Sequence, residues 1–355
     1  MQIDTFALER WLDRYEADAD VMLGESGVRA VEADRFDTDP GRLGYVVPTN
    51  GDPAFRERVA ARYDRDPEEV VFTCGTQEAN LLAFLSLLER GRHAVVVTPT
   101  YQSLIAIPAA LAEVTTVPLD PPEWTLDPDA VADAIRPETD LIVVNTPNNP
   151  TGRAHGEDAL RGLYDLAIDA DAYLLGDEVY RLLDPDPNPP VASLGPRAVS
   201  TSGLSKAWGL PGLRFGWLAG PSEVVSAATH WKDYTTISPP QFGQYVARQA
   251  FDRADELLGE HRDLAAENRD HVAALLAEYD MSWTEPAGVV GFPTIPDEFA
   301  DARTFCRSLV REESVLLVPG DVFGHPDRFR IGFGTDPDVL TTGLDRLRAF
   351  LDRNH

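Results

Sequence analysis

Lysine is almost absent from this 355-residue chain: Lys206 and Lys232 stand against 29 arginines. Arginine carries charge and grips anions, but its guanidinium does not give up a proton to become a nucleophilic amine near neutral pH. Cysteine is as scarce. Cys74 and Cys306 are too few for a disulfide framework, and no Cys/His cluster has the spacing of a zinc site. No apolar run approaches the ~20 residues that span a bilayer. The opening Met-Gln-Ile-Asp-Thr-Phe has no basic region or apolar signal core, so a cytoplasmic protein is expected. Positive charge is also in short supply. Thirty-one basic residues against 59 acidic ones leave a net charge of -28, which argues against nucleic acid and anionic membrane as partners, because both need a basic footprint. Repeats and low-complexity tracts are missing as well.

What is present is a globular pattern. The chain is 43% hydrophobic and long enough for two domains, or one large and one small. Acidity can mean disorder, but hydrophobic periodicity runs the whole length. A solvated acidic shell, as on proteins of salt-rich cytoplasm, is the expectation; codon bias is another route to replacing lysine with arginine. Phe6, Leu8, Trp11, Leu12 and Tyr15 have helical spacing, and residues 1–43 read as an arm. From Pro53 onward short apolar strands (70–72, 94–97, 114–117, 141–144, 173–175) alternate with helices. Continuous apolar strands of this kind indicate a largely parallel sheet covered on both faces. After residue 220 the chain turns helical, with a long stretch over 253–278, and the tail mixes strands with helices near 299–310 and 337–352. The predicted fold is α/β: a large domain over 44–269 with a mostly parallel sheet covered by helices, and a smaller α+β domain over 270–355 joined by the arm.

In open α/β sheets, ligands bind at the carboxyl ends of the strands. Unusual polar residues fall at those ends here: Thr76 after the first strand, Tyr101 after the second, Asn149 after the fourth, and Asp177 and Tyr180 after the fifth. Ser200–Gly216 then places Lys206 in a small-residue turn with Arg214 eight residues on. A lysine whose pKa is lowered can condense with a carbonyl to form a Schiff base. Lys232, in an amphipathic helical stretch, is expected at the surface.

Asn149-Pro-Thr-Gly152, Asp177-Glu-Val-Tyr180, Ser205-Lys206 and Arg214 resemble, in order, the signature of the fold-type I, class I/II aminotransferases that use pyridoxal 5′-phosphate. The likeness runs from Leu43-Gly-Tyr-Val-Val-Pro48 to Arg330-Ile-Gly-Phe-Gly334. It implies that Lys206 binds the cofactor aldehyde and then moves the substrate proton. Asp177 would pair with the pyridine nitrogen, and Tyr180 and Asn149 would donate to the phenolic oxygen. Val179 and Tyr101 would pack the two ring faces. Gly75, Thr76 and Gln77, at a helix start suited to an anion, would take the phosphate with Ser205 and Arg214. Tyr45 would reach the phosphate of a neighbouring subunit, implying a homodimer with shared sites. Arg330 would hold the substrate α-carboxylate, beside Asn149 and Gly27. One departure stands out: the hydroxyl usual three residues before the lysine is replaced by Gly203, with Ser205 or Ser202 as expected substitutes.

No Gly-x-Gly-x-x-Gly, P-loop or Gly-x-Ser-x-Gly elbow is present. Three readings remain. The first is an aminotransferase acting on an amino acid and a 2-oxo acid. The second is a relative carrying out β-elimination, decarboxylation or cyclisation on the same cofactor. The third is a cofactor-binding sensor, for which the chain offers neither spare length nor basic charge.

Overall fold

The computed structural model describes residues 3–354. The chain opens with α1 (Ala7–Tyr15), which buries Leu8, Trp11 and Tyr15, as its spacing predicts. A two-residue strand, β1 (Val21–Met22), follows. Then come α2 (Pro53–Ala60), β2 (Val70–Thr73), α3 (Thr76–Leu87), β3 (His93–Thr98), α4 (Ser103–Leu111), β4 (Glu113–Pro118), α5 (Pro128–Ala134), β5 (Thr139–Asn145), α6 (Glu157–Asp169) and β6 (Tyr173–Asp177). Two strands outside the predicted set come next: β7 (Ala198–Gly203) and β8 (Gly216–Ala219). Ser200, Thr201 and Ser202 fill β7, and all three are buried.

These strands form one seven-stranded sheet in the order β2-β8-β7-β6-β5-β3-β4. Every neighbour pair is parallel except those of β8, which runs antiparallel to both β2 and β7. The pleat sends alternate residues to opposite faces. Ala94, Val96, Leu141 and Val143 pack beneath α3, whereas Val95, Val97, Ile142 and Val144 pack beneath α6. Both faces are therefore covered, which is why these strands are apolar throughout. From β3 the chain steps outward to β4 and then returns to β5 on the other side, so the loops after β3 and β5 diverge. Such a switch point opens a crevice at the carboxyl edge of the sheet.

The remaining elements are α7 (Ser222–Lys232), α8 (Gln241–Asp252), α9 (Ala254–Glu278), β9 (Val290–Gly291), α10 (Ala302–Glu313), β10 (Val315–Leu316), β11 (Val318–Pro319), β12 (Phe329–Gly332) and α11 (Pro337–Asn354). The small sheet β11-β12-β9 is antiparallel, and β10 pairs in parallel with β1 of the arm. Residue 270, the expected end of the large domain, lies inside the continuous helix α9. Among the described residues no helix is long and apolar enough to cross a membrane, and no group of His, Cys, Asp or Glu side chains is arranged to hold a metal.

Lys232 is not at the surface. It is 1% exposed and its Nζ donates to the carbonyl oxygen of Thr49. Burial lowers its pKa to about 8, with the Glu78 charge opposing the shift. Helical spacing groups the residues of α7 into faces but does not say what covers them. Here the segment around Thr49 lies over the last turn of α7.

Candidate active site

The crevice at the switch point is a cleft of about 250 Å³. Its wall takes Thr76 and Gln77 from the start of α3, Tyr101 from the loop after β3, and Asn149 from the loop after β5. Asp177, Val179 and Tyr180 come from the end of β6, and Ser205, Lys206 and Arg214 from the β7–β8 connection. Ten residues singled out from the sequence thus share one cavity.

At its centre, Lys206 Nζ donates to Ser26 Oγ (2.9 Å). Burial pushes the pKa of this amine down. The Glu25 charge pulls it back up and Arg330 pushes it down again. Asp177 is the last residue of β6 and fully enclosed. Its Oδ2 accepts from Asn80 Nδ2 (2.8 Å) and its Oδ1 from the Val179 amide (3.3 Å). Asn80 is fixed in turn by Thr201 Oγ1, which donates to its Oδ1 at 2.5 Å. Burial raises the Asp177 pKa to about 6 against these donors and the Lys206 charge. Among the described residues no cation is within ion-pair distance of Asp177. Tyr180, raised to about 12 mainly by burial, accepts at its hydroxyl from Asn149 Nδ2 (3.4 Å).

Arg330 rises from the central strand of the small sheet and is 2% exposed. Its Nη1 donates to Asn149 Oδ1 (3.0 Å) and its Nη2 to the Gly24 carbonyl (2.6 Å), while Nε has no partner. Among the described residues it is a buried cation without a carboxylate partner, so it suits an anionic group of a ligand. The arm segment 23–28 threads between Arg330 and Lys206; a side chain on Gly27 would meet Ser205 O at 3.3 Å and Lys206 Cδ at 3.4 Å. Arg214 crosses the start of α3, and a Cβ on Gly75 would stand 2.6 Å from its Nη2. Gly75, at φ +81°, is the N-cap of α3 and offers no side-chain cap. The first N–H groups of the helix are thus open to an anion.

Tyr45 is not in the cleft. It is 76% exposed, on a segment where Leu43 and Val47 are each 82% exposed. Three residues of the cleft wall were not singled out from the sequence: Asn80, Asn145 and Pro211. Asn80 had a legible signal, being a lone amide in the otherwise apolar Ala79–Leu85 stretch of α3. Asn145 ends an apolar strand, where its side chain holds the Asn149 amide (2.7 Å) and the Asp177 carbonyl (2.9 Å). Ser26 comes from the arm segment 23–28, a stretch expected from the sequence to line the pocket, and it reaches the cleft wall.

The fold and this cleft define a pyridoxal-phosphate-dependent enzyme of fold type I. The cavity fits that cofactor: among the described residues, Asp177 is a buried carboxylate lacking a cation, and Thr76 Oγ1 is a buried hydroxyl lacking a hydrogen-bond partner. Arg214 and the uncapped start of α3 lie beside that hydroxyl.

The chain belongs to the family of class I and II aminotransferases, which it matches over residues 25–347. It is 35% identical to capreomycidine synthase of Streptomyces vinaceus, over 95% of this chain and 91% of that one. It is 27% identical to aspartate aminotransferase of Geobacillus stearothermophilus, over 86% and 83%. Among solved structures it resembles a PLP-dependent aminotransferase from Streptococcus suis 89-1591, with a TM-score of 0.94 and 31% identity over 100% of this chain and 99% of that one. It also resembles the PLP-dependent cyclase OrfR, at 0.90 and 30% with the same coverage.

Proposed function

We propose that this enzyme moves an amino group between an α-amino acid and a 2-oxo acid. The observation that carries the reading is the placement of Lys206. Its amine is half-buried and held toward its neutral form by desolvation, in one cleft with a buried carboxylate and beside a buried arginine that has no carboxylate partner among the described residues. Pyridoxal 5′-phosphate, when bound, supplies a carbonyl that condenses with amines and a ring that takes up electrons from the carbon bearing the amino group.

The protein's own groups divide the remaining work. Lys206 would hold the cofactor's carbonyl carbon through its amine, and with that amine free it would accept and return the substrate α-proton. Asp177 keeps a proton on the ring nitrogen, and the fixed Asn80 side chain keeps Asp177 aimed. Tyr180 and Asn149 donate to the phenolic oxygen, while Val179 and Tyr101 hold the ring faces. Gly75, Thr76, Gln77, Ser205 and Arg214 take the phosphate. Arg330, with Asn149 and Gly27, orients the substrate carboxylate. Tyr45 serves the site of a second copy, so the working unit is a homodimer. In this reading residues 44–269 carry the cofactor, and the arm with residues 270–355 closes on the substrate.

The likeness to capreomycidine synthase and to OrfR favours a second reading, cyclisation of an amino acid on the same cofactor. The two differ in what one substrate does alone. A transaminase given an amino acid without oxo acid keeps the amino group, so the visible absorbance of the holoenzyme is lost once per site and returns when a 2-oxo acid is added. Steady turnover on a single amino acid, without stoichiometric bleaching by any, overturns the first reading and supports the second.

A further inference from the structure

The arm segment 23–28 touches two of the cationic groups of the site. The Gly24 carbonyl accepts from Arg330 Nη2 at 2.6 Å, and two residues on, Ser26 Oγ accepts from Lys206 Nζ at 2.9 Å. The tail of the chain fixes this placement. Leu23 donates its amide to the Leu316 carbonyl (3.0 Å) and accepts from the Gly332 amide (2.7 Å), and the Arg29 amide donates to the Gly334 carbonyl (2.6 Å). A Cβ on Gly332 would collide with the Glu25 carbonyl oxygen, and one on Gly334 with that of Gly27. Glycine at both positions lets the arm backbone lie against the end of β12, and that backbone sets Ser26 beside Lys206.

Ser26 is 6% exposed and on the cleft wall. Its hydroxyl is the one hydrogen-bond partner of the Lys206 amine among the described residues. Lysine carries its amine on a flexible four-carbon stem, and a hydroxyl that accepts one N–H restrains it. It does so without charge. A carboxylate in the same place would favour the ammonium form, which cannot add to a carbonyl or take up a proton. Burial is the largest effect on this amine and disfavours its charge. The charges around it oppose one another: Glu25 of the arm and Glu9 of α1 favour the ammonium form, whereas Arg330 of β12 and Arg214 of the β7–β8 connection disfavour it. Asp177, at the end of β6, interacts with the same charge.

We propose that Ser26 is the positioning residue of Lys206: its neutral hydroxyl holds the free amine in place for condensation with the cofactor and for proton transfer. The arm is then part of the catalytic apparatus as well as a cover over the substrate. This rests on the reading of Lys206 as the amine that binds pyridoxal 5′-phosphate, but not on which reaction follows.

The test follows cofactor-free protein as it condenses with pyridoxal 5′-phosphate, the amine nitrogen joining the aldehyde carbon as water leaves. Visible absorbance gives the rate across a pH series, and a thermal melt checks folding. Ser26→Ala removes the hydroxyl, Ser26→Thr keeps it, and Ser26→Asp puts a carboxylate in its place. Ser26→Ala should slow condensation about threefold to tenfold, the scale of one hydrogen bond, and Ser26→Thr should restore the parent rate. Ser26→Asp should move the pH midpoint of the rate upward, because an amine beside a carboxylate holds its proton to higher pH. An unchanged rate in Ser26→Ala overturns the assignment. So does equal slowing in all three variants with the midpoint fixed, which would mark a packing role. If the unaltered protein develops no visible absorbance and borohydride fixes nothing on Lys206, the cofactor reading beneath the proposal fails instead.

Discussion

A carboxylic acid enclosed as Asp177 is stays ionised only at a cost. Its pKa is raised from 3.8 to about 6, with desolvation as the main cause. Without cofactor, the folded state therefore binds more protons than the unfolded chain between about pH 4 and 6, and stability falls as pH rises through that window. Asp177→Asn removes the effect. In cofactor-free protein it is expected to melt above the parent at pH 7, and the gap should close near pH 4. In holoenzyme the same change should cut kcat by roughly 10²–10³, the scale of losing one aligned electrostatic group. Borohydride should still fix the cofactor on Lys206, because the amine is untouched. Labelling at Lys232, or no labelling, would contradict the assignment of the amine.

At the scale of elements, α7 and the segment around Thr49 are joined through Lys232. Its folded pKa, about 8, lies below the ordinary 10.5 because burial penalises the charge. Between those values the unfolded chain holds a proton that the native state lacks, so this group makes stability rise with pH. Lys232→Met lacks the term. Thermal melts at pH 7.5 and pH 9.5 should show the parent gaining on the variant as pH rises. A constant difference would mean that Lys232 titrates normally. The contrast with Lys206 is instructive: this chain has kept lysine only at two positions, Lys232 buried in the packing and Lys206 half-buried in the cleft wall.

Across the whole molecule, a net charge of -28 makes the folded state repel itself. Exposed ion pairs such as Arg161–Glu157 are already weakened by the surrounding water, so what salt takes from them is smaller than the repulsion it relieves. The Debye length falls from ~10 Å at 0.1 M to ~3 Å at 1 M. Melting temperature and activity are therefore expected to rise in molar KCl over dilute buffer, and a flat response would remove the halophile reading. Sedimentation tests assembly. Leu43, Tyr45 and Val47 form an exposed apolar row, the kind of surface that a second copy covers. The parent should sediment at twice the chain mass and Val47→Asp at the chain mass.

Much of this was legible in the sequence because it is written at short range. The alternation of apolar strands with helices predicts a covered parallel sheet, and polar residues at the strand ends predict a cleft there. Lys206, Asp177, Tyr180 and Arg214 carry chemistry that few other residue types can supply. Burial was not legible, because it depends on which distant segment covers a face. Periodicity alone put Lys232 outside, whereas the turn around Thr49 puts it inside. β7 was hidden because Ser200, Thr201 and Ser202 owe their burial to neighbouring strands rather than to their own polarity. Gly203 read as a missing hydroxyl, and only the approach of α3 to the β7–β8 junction shows that Thr76 occupies its space. Residue types and their order decided which reactions are possible. Packing between distant segments decided which amine is held toward its neutral form, which carboxylate lacks a cation and which hydroxyl is left free.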